Sequence, residues 1–164
     1  MPSHPDLLPT TKLALRILIG LNILLGALIF ALLATSFISL TWLQDALGFR
    51  PETPSIAIRL VMLIGLLGIP LANLLLTRLL AMVATVGEGD PFIPENAQRL
   101  LMIARSLLGL QLLNLAMDAA CAAFSLKFGP ESSLEGWLAV LLLFVLARVF
   151  DYGTRLRADL AGTV

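Results

Sequence analysis

Apolar residues run almost unbroken through four stretches of the chain, 13–42, 56–86, 106–128 and 133–152, and polar residues collect between them. Crossing a hydrocarbon core of about 30 Å takes roughly 20 apolar residues in a helix that rises about 1.5 Å each. Each run meets or approaches that length, so the pattern predicts an all-α, four-helix integral membrane bundle, one membrane domain over 1–164. The first two runs are long enough to tilt, and the fourth is barely long enough. Gly48, Pro51 and Pro54 break the chain after the first run and Gly129-Pro130 after the third. The first run is far longer than the apolar core of a signal peptide, which predicts an uncleaved anchor.

The connection 87–105 between the second and third runs is unusually polar. Gly87 and Gly89 stop one helix, Pro91 holds the chain extended, and Pro94 followed by Glu95 opens the next. Unbroken, that new helix would continue to Phe128. Turn chemistry accounts for the glycines and prolines, but it leaves Asn96, Gln98 and Arg99 without a reason.

Charge gives the orientation. Lys12, Arg16, Arg78, Arg99, Arg105, Arg148, Arg155 and Arg157 fall on the side of both termini, against Arg50, Arg59 and Lys127 on the other. The richer side is read as cytoplasmic, which places the 87–105 connection and a tail over 153–164 there. Trp42 and Trp137 sit near the opposite interface, as indole rings prefer. The run Arg16 to Asn22 resembles Arg105 to Gln111, and Leu80-Ala-Met-Val resembles Leu146-Ala-Arg-Val. Two readings follow: a pair of pseudo-repeated helical hairpins, or two leucine-rich segments of like composition.

Composition narrows the chemistry. The chain is 59% hydrophobic and 13% charged with no formal net charge, and its mean hydropathy is +0.95. No basic excess calls for direct nucleic-acid binding. A single Cys121 and a single His4 provide neither a disulfide, a metal ligand set nor a Cys–His pair. Gly87-Glu-Gly-Asp lacks the lysine and length of a phosphate loop, so no enzyme and no cofactor is expected.

Within the spans, Asp118 is the one deep acid, and such residues mark functional sites or are held neutral by burial and hydrogen bonds. Gln111, Asn114 and Asp118 share a helix face, with Asn22 and Asn73 at comparable depths on neighbouring spans. That set is read either as packing glue or as a polar path for protons or cations. Arg59, the nearest base, is expected to snorkel outward. Pro70 is expected to kink the second span. Ala116, Ala119, Ala120 and Ala123, with Gly68 and Ala72, predict close helix contacts within one chain or in a homo-oligomer.

Gly89-Asp-Pro-Phe, Asn96, Arg99-Leu100 and Ile103-Ala104, with Val149-Phe150, Gly153, Leu156-Arg157, Asp159 and Gly162-Thr163-Val164, resemble the bacterial family catalogued as domain of unknown function 2975. Typical members carry more arginine where this chain has Leu101 and Met102. The resemblance implies a small four-span inner-membrane protein without established activity, often encoded beside a small helix-turn-helix regulator. That neighbourhood suggests a membrane-bound regulatory pair, and the two polar inner-face stretches are read as the surface of a membrane anchor or sensor for such a cytoplasmic partner, with Asp90, Asn96, Arg99, Arg155 and Arg157 as contact candidates. The alternatives are a small transporter or ion-handling protein using Asp118, and a structural homo-oligomer.

Overall fold

The computed structural model describes residues 7–87, 93–126 and 133–161, and every regular element among them is a helix. These are α1 (Leu7–Ile38), α2 (Leu40–Leu47), α3 (Ser55–Gly87), α4 (Pro94–Ala123) and α5 (Leu134–Ala161). Three of them, α1, α3 and α4, are long and apolar enough to cross a membrane. Their surfaces carry many exposed leucines, isoleucines and phenylalanines, an arrangement suited to hydrocarbon rather than water.

The first apolar run is not one helix to Trp42, because the chain breaks at Ser39, which is extended (φ −145°, ψ 91°). Just before it, the Thr35 hydroxyl donates back to the Leu32 carbonyl and the Ser36 hydroxyl to that of Leu33. Such bonds compete with the helical ladder. The Ser36 carbonyl, which would accept from Leu40 in a continued helix, instead accepts from Arg59 Nη2 at 3.0 Å. The short α2 then buries Leu43 and Gln44 and leaves Trp42 exposed. It stops at Gly48, whose left-handed φ of 70° is cheap only for glycine.

Two further boundaries differ from expectation. α4 ends at Ala123, not Phe128, as Ser125 turns to a positive φ of 51° and the Leu126 amide donates back to the Cys121 carbonyl. α5 continues through 153–157, expected as tail, and reaches Ala161. Gly153 does not stop it, and an Asp151–Arg155 pair bridges the turn there at 2.8 Å.

The helices pack in a row. α1 lies on α3, α3 on α4 and α4 on α5, with α2 folded beside α1; among the described residues no other pair makes a contact of similar extent. The layer is therefore open rather than a closed bundle. Small residues mark the seams: a side chain at Gly26 would strike Ile69, and one at Gly109 would strike Leu71. The main cluster of buried apolar residues is Leu43, Ile58 and Met62, at the end of the layer where α2 folds back.

Registers differ between the seams. Arg59 meets Ser36, Gly68 faces Leu110, and Thr85 meets Asn96, so α1, α3 and α4 lie side by side over their lengths. α5 is staggered. Gly136, in its first turn, lies against the Gln111 amide near the middle of α4. Its later residues Ala147 and Asp151 reach Ala97 in the first turn of α4. About 18 Å of α4 thus extends beyond the start of α5, while the last turns of α5 project past Pro94.

Because any side chain at Gly136 must displace Gln111, Gly136→Val should lower thermal stability in detergent, by about 1–3 kcal/mol for an overpacked contact. Gly20→Val, with nothing within 4 Å of the new Cβ, is the control. Equal melting of the two variants would refute the α4–α5 register.

Candidate functional site

The most connected polar group lies at the end of the layer where α3 ends and α4 begins. Pro94 starts α4 and makes Asn96 its third residue, facing the last turns of α3. Asn96 is fully buried, at 0% exposure. Its Nδ2 donates to the Thr85 hydroxyl at 2.9 Å, and its Oδ1 accepts from Arg99 Nη1 at 2.9 Å. Arg99 Nη1 also points to the Ala81 carbonyl, at 3.4 Å, and Thr85 donates to the Met82 carbonyl at 2.8 Å. The positive guanidinium therefore sits at the carbonyl end of α3, the favourable place for a cation. Asn96, Thr85 and Arg99 form one clasp between the two helices.

This is the reason for Asn96 and Arg99 that turn chemistry lacked. The clasp faces inward, so Asn96 offers no surface to a partner. Asp90 lies outside the described residues. Arg155 and Arg157 are exposed on the projecting turns of α5, where Arg155 pairs with Asp151. An exposed pair of this kind contributes about 0–1 kcal/mol, so it shapes charge more than stability.

The intramembrane candidates separate into two groups. Asn22 Nδ2 donates to the Ile69 carbonyl at 3.0 Å, tying α1 to α3 beside Pro70. Among the described residues, the buried acceptors without partners are Asn73 Oδ1 and Gln111 Oε1, and Gln111 is only 7% exposed. Leaving such an atom unpaired costs about 1–3 kcal/mol. Asn114 and Asp118, half-buried, continue the Gln111 face of α4 beyond the height at which α5 begins.

Arg59 is held by the C-terminal end of α1. Its Nε lies 3.3 Å from the Ser36 hydroxyl, its Nη2 reaches the Ser36 carbonyl, and the guanidinium stacks 4.1 Å from the Phe37 ring centroid. Cation–π contact and two hydrogen bonds commit it to α1. Among the described residues no cluster of three metal-ligating side chains occurs, and Cys121 is a buried thiol.

Thr85, Ser36 and Gly136 were missed in the sequence. Thr85 had a readable signal, because so few residues separate Gly87 from Pro94 that α4 must begin near the last turns of α3. Gly136 had none.

A double-mutant cycle tests the clasp. Asn96→Ala and Thr85→Ala should each destabilise the protein by about 1–3 kcal/mol, with the pair costing clearly less than the sum. Strict additivity, measured by denaturation in mixed micelles, would mean that the two side chains do not act together. No family model, curated protein or solved structure matches this chain.

Proposed function

We propose that the chain is a non-enzymatic protein of the bacterial inner membrane, with both termini in the cytoplasm, that anchors a soluble cytoplasmic partner. A small helix-turn-helix regulator is the partner class that the family resemblance suggests. The observation that carries this reading is the projection of α5: its last turns run past the start of α4 and present Arg155 and Arg157 to the outside. Lys12, Arg16, Arg78, Arg99 and Arg105 lie toward the same end of α1, α3 and α4, as the positive-inside rule requires of a cytoplasmic face. In this reading Asn96 and Arg99 brace the platform, and Arg155 and Arg157 make the contact.

The fourth crossing belongs to the same proposal. α5 carries the exposed apolar residues Leu138, Leu141, Leu142, Val145 and Val149, which suit lipid. The pseudo-repeat is supported in the same way: α1 with α3 and α4 with α5 are both antiparallel pairs with a glycine at the seam.

A second reading, ion or proton handling, is favoured by the Gln111, Asn114 and Asp118 face and by the unpaired buried acceptors. Asp118→Asn should then abolish proton-coupled flux in vesicles. The open layer also allows a homo-oligomer.

Crosslinking of the tagged protein in its native membrane separates these. The anchoring reading expects a cytoplasmic DNA-binding protein captured by wild type and largely lost from the Arg155→Ala, Arg157→Ala variant, with both forms equally abundant in the membrane. Identical captured proteins from both would sink it.

A further inference from the structure

At the end of the layer where α4 begins, α4 and α5 part to leave a groove of about 460 Å³. The parting follows from small residues: Ala97 and Ala147 face one another at its floor and are both buried. Leu101 and Phe144 make its walls, and the rim carries Arg148. The volume falls in the range of about 300–1,000 Å³ typical of small-molecule sites.

The charges around it are unequal. Asp151, also on the rim, is the acid one turn from Arg148, yet it pairs with Arg155 instead. Arg148 makes no ion pair and no hydrogen bond among the described residues and stands exposed at the groove mouth. An unpaired guanidinium above an apolar floor asks for a ligand with an anionic head and an apolar body.

Its surroundings say which. Leu142, Val145 and Val149 are exposed on α5 near the groove, so its approach is through apolar surface. Arg99 and Arg105 on α4 and Arg78 on α3 lie toward the same end of the layer, the end that the charge count reads as the headgroup side. Basic pockets between membrane helices on that side bind anionic headgroups, and arginine grips phosphate through two parallel donors.

We propose that this groove is a binding site for an anionic phospholipid, with its phosphate on Arg148 and an acyl chain over Ala97 and Ala147 between Leu101 and Phe144. The site rests on the reading of the chain as membrane-embedded and not on any cytoplasmic partner. Phosphate alone would leave the floor uncovered, and a zwitterionic lipid would bring a cation to an already positive rim.

Extraction is read first: release of the protein from membranes without detergent would overturn both the membrane reading and this site. The detergent-purified full chain is then exposed to phosphatidylglycerol or phosphatidylcholine and followed by native mass spectrometry and by melting. Wild type should retain phosphatidylglycerol in preference to phosphatidylcholine and melt higher with it. Arg148→Gln, at an exposed position that should not disturb folding, should weaken retention about tenfold, as expected for one charge-assisted contact. Arg157→Gln, beyond the groove and leaving the Asp151–Arg155 pair in place, should retain the lipid. Ala147→Leu should lose it with the charge intact, and its own melting shows whether it is folded. Equal retention of the two lipids, no effect of Arg148→Gln, or equal protection by inorganic phosphate would each overturn the proposal.

Discussion

Helices surrounded by hydrocarbon gain little by touching one another through leucine, because lipid tails are as apolar as leucine itself. The layer is accordingly held where side chains are very small or polar. α3 carries most of these links. It receives Asn22 at the Ile69 carbonyl, sends Arg59 to the end of α1, and meets Asn96 through Thr85. Between them, Gly26 and Gly109 let the neighbouring helices approach closely. α3 is the spine, and α1 and α4 are positioned by it at several heights.

How much of this could be read in advance follows from the same constraint. Hydropathy marks long helices, and Pro94 with Glu95 marks the start of α4, because those features are local. The order of helices in the layer is not local. α1 is apolar on every side, so no face of it names a neighbour. Four apolar runs predicted a bundle of four helices without naming which would touch, and the described helices pack as a row. Ser39 and Ser125 hid two helix ends, since neither is a glycine or proline: Arg59 takes the Ser36 carbonyl just before Ser39, and backbone bonds to Cys121 and Ala122 close the turn at Ser125. Candidate residues were found by their polarity, but their direction was hidden: Asn96 and Arg99 face inward, whereas Arg155 and Arg157 face out.

The stagger of α5 has consequences for the polar residues. Gly136 accepts the Gln111 side chain where any larger residue would refuse it, and this contact fixes α5 about half a length along α4. Glu135, in the first turn of α5, is exposed near the height of Gln111, and Asn114 and Asp118 lie just beyond on α4. Beyond the start of α5 this face of α4 is no longer covered by it, so Asn114 and Asp118 line the notch that the stagger leaves.

At the other end the stagger works in the opposite sense. Moving α5 along α4 brings Ala147 against Ala97, opens a groove between them and carries Arg155 and Arg157 past the start of α4. Asp151 lies between Arg148 and Arg155 and can neutralise only one of them. By pairing with Arg155 it leaves Arg148 over the groove and Arg157 beyond it. One contact, Gln111 on Gly136, thereby sets both the arginine that lines the groove and the arginines that stand past the start of α4. Any shift in that contact would alter the two together.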